Sequence, residues 1–169
     1  MIIKRNERKI SITIWGAEKG DWIDWYNDIK ELMNYLGYEE THIGILSENY
    51  TSGKIMTVKR KEKEVLAKLI EGEVPKSFSC YSLPKGYKVA SFDYDFLCER
   101  NASYISVVLK EADYNNANEQ FVISIMHKYV CFEYGEIYST SATEMPLIYA
   151  ETKEKGNIKT YKLLKKFKK

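Results

Sequence analysis

Between residues 10 and 37 the apolar periodicity of the chain changes from two to 3.6, and this change constrains the fold more than any other feature. Ile10, Ile12 and Ile14 alternate with Ser11, Thr13 and Trp15, which predicts a strand ending at Gly16. From Asp21 to Gly37 the apolar residues Trp22, Trp25, Tyr26, Ile29, Leu32, Met33 and Leu36 recur at steps of three, one, three, three, one and three. That stripe predicts an amphipathic helix, with Asp21 as its N-cap and Gly37 as its C-cap.

The remaining elements follow from the same two periods. His42 to Leu46 and Lys54 to Val58 read as short strands around the polar loop Ser47 to Gly53. Lys59 to Glu71 reads as a second helix with Val65, Leu66, Leu69 and Ile70 inward, its charge run KRKEKE facing water, and Gly72 as its stop. A strand is expected at Phe78 to Tyr81. From Lys88 onward Ala90, Phe92, Tyr94 and Phe96 alternate with Ser91, Asp93, Asp95 and Leu97, which predicts a strand with both aspartates on its exposed face. A turn at Glu99-Arg100-Asn101 then leads into the β-branched run Ser103 to Lys110, giving an antiparallel hairpin. Helical spacing assigns Asn116 to Val130 to a third helix, and strands are expected at Ile137 to Thr140 and Pro146 to Ala150. The predicted class is α+β: a mixed, largely antiparallel sheet with about three helices on one face. The order strand, helix, strand near both ends suggests a repeat of two such halves.

Composition limits function. At 169 residues and 44% hydrophobic content, one domain over residues 1–169 is expected, and six Phe, three Trp and fourteen Tyr oppose disorder. No apolar run reaches the ~18 residues of a membrane span, and no signal peptide is read at the start. Cys80, Cys98 and Cys131 lack paired C-x-x-C spacing, so reduced thiols in a cytoplasmic setting are expected, with neither metal nor cofactor. Residues 10 to 158 carry 16 basic and 23 acidic side chains, a net charge of −7, while residues 159–169 hold six lysines and no acid. An acidic body argues against a nucleic-acid partner. The basic segment keeps open an edge strand, and also a small RNA-associated or phage-encoded regulatory protein.

No catalytic pattern emerges. His42 and His127 have no paired ligand spacing, and phosphate-binding glycine loops and a G-x-S-x-G elbow are absent. Acids form the better pattern: Asp21, Asp24, Asp28 and Glu31 recur at steps of three, four and three along the first helix, and Asp93 and Asp95 share the strand face. The helix dipole explains Asp21 and Asp24 as ordinary first-turn acids but not Asp28 and Glu31. These six are the candidate binding residues, with a metal-dependent nuclease as a minor alternative for the same acids. Tyr38, Tyr50, Tyr81, Tyr87, Tyr114, Tyr134 and Tyr138 fall in or beside loops and strand ends, where an AT-rich coding bias or an interface would each account for them.

Residues 10 to 37, ISITIWGAEKGDWIDWYNDIKELMNYLG, resemble the opening of immunity proteins from bacterial polymorphic-toxin and contact-dependent growth inhibition systems. In that family a strand ending in Trp-Gly and a charged turn lead into an amphipathic helix, and Trp15, Gly16, Glu18 and Lys19 are the matching positions. Residues 59–72 are similar to the family's second helix, so the resemblance covers about the first 70 residues; the basic end departs from the family's acidic character. The resemblance implies a non-enzymatic inhibitor that binds a toxin domain in the cytosol and occludes its working surface.

Overall fold

The computed structural model describes residues 7–169, so Lys4 and Arg5 of the basic N-terminal run lie outside the described residues. Eight strands form one sheet: β1 Arg8–Glu18, β2 His42–Leu46, β3 Ile55–Thr57, β4 Ser77–Ser82, β5 Phe96–Asn101, β6 Tyr104–Lys110, β7 Val130–Ser141 and β8 Lys162–Lys168. Their order is β3-β2-β4-β5-β6-β1-β7-β8. Every pairing is antiparallel, so the sheet is not mixed. Five helices accompany it among the described residues: α1 Trp22–Leu36, α2 Val58–Ile70, α3 Ala90–Asp93, α4 Asn116–Met126 and α5 Pro146–Thr152. Three are long and two are a turn or two, and the expected two-fold repeat is not found. None is long and apolar enough to cross a membrane.

The sheet is covered on both sides. Ile10, Ile12 and Ile14 of β1 face α1, α2 and α4 in the main core, together with Phe78, Phe96 and Val107. The alternate residues Ser11 and Thr13 are equally buried on the opposite face, and Trp15 there packs with Tyr104, Tyr138, Tyr149 and Ile158. That second face is closed by α5 and the chain after it, so the central strand alternates apolar with polar residues although both faces are interior. Thr13 Oγ1 meets Ser106 Oγ at 2.8 Å and Tyr138 Oη at 3.2 Å, which satisfies the Thr13 hydroxyl that burial removes from water.

The first helix follows its predicted caps. Asp21 Oδ2 accepts from the amides of Ile23 and Asp24 at 3.0 Å each, and Gly37 closes the helix at φ 85°. The strand before it does not end at Gly16. It runs on to Glu18 through a bulge between Trp15 and Gly16, where Gly16 has φ 154° and a Cβ would lie 1.9 Å from the Cys131 carbonyl oxygen. Glycine is what lets β1 and β7 approach there.

Three expectations are corrected. Residues 88–97 are not one strand: Asp93 Oδ2 accepts from the amides of Lys88 and Val89 at 2.8 and 2.9 Å, folding the chain into α3. Asp93 therefore lies in a helical turn and Asp95 just ahead of β5, while Tyr94 and Phe96 pack in different cores. Residues 99–101 are strand, with the turn shifted to Asn101–Ser103, where Asn101 Oδ1 accepts from Ser103 and Tyr104 amides. Pro146 to Ala150 is helical, its proline at the first turn, where a missing N–H costs nothing. The basic segment is a strand on the open edge beyond β7, as one of the two readings held.

Candidate functional site

The α1 acids divide into two kinds. Asp21 is consumed as the N-cap, and Asp28 accepts from Lys128 Nζ at 3.0 Å and from the Tyr129 hydroxyl. Asp24 and Glu31 are exposed and make no side-chain hydrogen bond or ion pair among the described residues. Asp21, Asp24 and Asp28 border a shallow depression of about 420 Å³ with Asn27, Lys128 and Tyr129, and Glu31 lies outside it. One turn beyond Glu31 stands Tyr35, 59% exposed, its ring 4.6 Å from that of Phe121 on α4. Tyr35 lies within α1 rather than in a loop or at a strand end, so the loop position that marks the other tyrosines gives no signal for it.

The structure does not bring Asp93 and Asp95 together with α1. Asp95 pairs with Lys110 at 3.3 Å and borders a depression of about 450 Å³ shared with His42 and Tyr87. His42 Nδ1 lies 2.8 Å from Thr41 Oγ1 and its pKa is lowered by burial, while His127 packs edge-on against Phe132. Among the described residues no three His, Cys, Asp or Glu side chains gather as a metal cluster.

The tyrosines find a use that composition did not reveal. Nine of the fourteen donate their hydroxyl to a carboxylate: Tyr26, Tyr38, Tyr50, Tyr104, Tyr114, Tyr129, Tyr134, Tyr149 and Tyr161. Burial, reinforced by the adjacent carboxylate, raises the pKa of each of these hydroxyls, so they remain donors well above neutral pH. Many of the acids and tyrosines that stood out in the sequence therefore satisfy one another inside the fold.

Two of these carboxylates lie on the second face of the sheet. Glu136, 4% exposed, receives the hydroxyls of Tyr134, Tyr149 and Tyr161. Glu99 of β5 receives only Tyr104 Oη at 2.5 Å and Ser79 Oγ at 3.3 Å, and no cation lies within ion-pair distance among the described residues. Burial raises its pKa against the opposing pull of those two hydroxyls. Beside it a cleft of about 250 Å³ opens under α5, walled by Tyr81, Tyr94, Leu97, Tyr104, Leu147 and Glu151. A larger, more open hollow of about 640 Å³ continues past Tyr104 and Glu151 toward Trp15, Asn101 and Lys153. Trp15 Nε1 donates to the Ala150 carbonyl at 2.7 Å and so fixes α5 over the sheet.

Of the four positions that carry the sequence resemblance, Trp15, Gly16, Glu18 and Lys19, the first two and the last have internal work, and Glu18 ends β1. Trp15 anchors α5, Gly16 forms the bulge, and the Lys19 amide and carbonyl bond Tyr129 and Arg100. Comparison of the chain with protein families, with curated proteins and with solved structures finds no match.

Proposed function

We propose that the chain is an immunity protein, a non-enzymatic inhibitor that holds a cognate bacterial toxin domain in the cytosol, with the solvent face of α1 as the docking surface. The resemblance of residues 10–37 and 59–72 supports the class. The observation that carries the choice of face is the row Asp24, Glu31 and Tyr35: two exposed acids without hydrogen-bond or ion-pair partners among the described residues, beside an exposed aromatic ring on a helix. An aromatic anchor ringed by charge is what a fast and specific protein interface uses, the charge steering encounter and the ring supplying buried area. Asp21 and Asp28 contribute chiefly field, since Oδ2 of each already accepts two hydrogen bonds inside the fold. The lysines of β8 serve the fold as an edge strand that discourages further pairing, so the basic segment does not enter this reading.

The test is the double reversal Asp24→Lys with Glu31→Lys, which avoids the structural Asp28. In cells expressing a cognate toxin domain, protection should fall, and association of the purified proteins should slow at least about tenfold at low salt. The loss should shrink as salt rises and the Debye length falls to about 8 Å. The melting temperature should move by only about 1–2 °C, because exposed charges contribute little to stability. Undiminished protection and an unchanged association rate would remove α1 from the interface.

A further inference from the structure

Glu136, which is buried, and Glu99, which is half-buried, show two treatments of a carboxylate on one face of one sheet. A carboxylate offers about four lone-pair sites. Glu136 receives three tyrosine hydroxyls, that of Tyr149 lying within reach of both its oxygens. Glu99 has two hydroxyl donors and an open cleft beside it. A second polar group in the same wall is also unsatisfied: Tyr94 is 2% exposed and its hydroxyl has no hydrogen-bond partner among the described residues. A buried hydroxyl without a partner, and a half-buried carboxylate with two hydroxyl donors and no cation among the described residues, each cost free energy that a bound donor would offset. The rest of the wall is aromatic and aliphatic, with Tyr81, Leu97 and Leu147, and Glu151 of α5 adds a second acid. Its volume is several times the ~30 Å³ that a water molecule occupies in the liquid.

We propose that the cleft under α5 is a binding site for an alkylammonium or guanidinium group, with Glu99 as counter-ion, the Tyr94 hydroxyl as a further acceptor and Glu151 as a second acid in the wall. A cation supplies both missing features at once, positive charge for Glu99 and N–H donors for two oxygens, while its methylenes lie along Leu97, Leu147 and the tyrosine rings. Anions are disfavoured by the two acids, and a neutral apolar group would leave both oxygens bare. The site is on the face of the sheet opposite α1, so it stands or falls independently of the toxin-binding reading.

Two sources carry this chemistry, a free small amine and a basic side chain of another protein, and the probes separate them. The intact chain is titrated with n-butylamine, agmatine, N-acetyl-lysine amide and N-acetyl-arginine amide while methyl signals of Leu97 and Leu147 are followed by NMR, with n-butanol as the uncharged control. Saturable shifts with the cations and none with n-butanol are expected. Tighter binding of the two capped amino acids would assign the source to a protein side chain, and tighter binding of the free amines to a small metabolite-like cation. Glu99→Gln should weaken binding at least tenfold. Tyr94→Phe, which removes one oxygen and leaves the packing, should weaken it several-fold with the melting temperature kept. Absence of saturable shifts with all four cations, equal binding of n-butanol, or unchanged affinity in a folded Glu99→Gln variant would overturn the proposal.

Discussion

Arg100 is 1% exposed and has no carboxylate within ion-pair distance among the described residues. Its guanidinium donates instead to the carbonyls of Lys19, Gly20 and Asp21 at 3.0, 2.9 and 3.3 Å and lies 4.0 Å from the centre of the Trp22 ring. It thus fastens the turn between β1 and α1 to β5. Arg100→Met should destabilise the protein by about 2–4 kcal/mol, because carbonyls left bare in the interior carry their desolvation cost, and urea unfolding measures it. A second residue-scale expectation concerns Glu40, which meets Tyr26 Oη at 2.6 Å while Glu62 meets the same oxygen at 2.6 Å. One hydroxyl proton cannot serve both carboxylates, and burial raises the pKa of Glu40 while Lys30 and Tyr26 overcome burial to lower that of Glu62. A raised carboxyl pKa stabilises the fold below the unfolded value of 4.5 and loses that contribution as pH rises through the folded value. Glu40→Gln should therefore raise the melting temperature at pH 7 and flatten its fall above pH 4.5. Neither residue was legible in the sequence. Arg100 sat where a turn was expected, and a tyrosine's hydrogen-bond partner depends on which helices meet.

At the scale of elements, β8 tests the edge of the sheet. Phe167 stacks on Phe132 at 5.6 Å and covers Gly135, where a Cβ would approach its ring to 2.3 Å, and Lys165 Nζ bonds the buried Glu119 at 2.8 Å. Removing residues 162–168 should broaden the unfolding transition and promote association through the bared edge of β7, as light scattering would report. Phe167→Ala should cost about 1–2 kcal/mol, and Gly135→Ala should cost a comparable amount by displacing the same ring. Elements with a long, one-sided stripe were legible: α1 with both caps, and α2 except for Ile70, which was expected inward and is 73% exposed; of the β5–β6 hairpin only the second strand was placed correctly, its first strand and turn lying further along the chain. Those that failed had short apolar runs whose period fits either structure. Pro146–Thr152 carries too few residues to separate a helix from a strand, and in 88–97 a regular alternation was overridden by the Asp93 carboxylate capping the chain behind it. Of the candidate site, the α1 acids were visible as a row, but which of them were engaged depended on Tyr129 and Lys128, a hundred residues away.

Tyrosine–carboxylate contacts run through the whole molecule, and its response to alkali follows. Burial and the adjoining acids raise the pKa of Tyr50, Tyr114 and Tyr149 to about 12 from 10.0. Groups raised in the folded state contribute stability that is complete below pH 10 and disappears as pH passes the folded values, so melting temperature should hold to about pH 10 and then drop steeply. Thiol accessibility gives an independent measure: Cys131 is exposed and should react with Ellman's reagent at once, whereas Cys80 and Cys98 are buried and should react only on unfolding. The strand order has a further consequence for how the protein is made. The first strand of the chain occupies an interior place in the sheet, between β6 and β7, so its partners are residues 104–110 and 130–141. On a ribosome, β1 emerges early and waits for more than a hundred residues of synthesis before both of its edges are covered. Nascent chains halted before residue 141 should thus remain protease-sensitive and bind chaperones, and the sheet should close late and as one event.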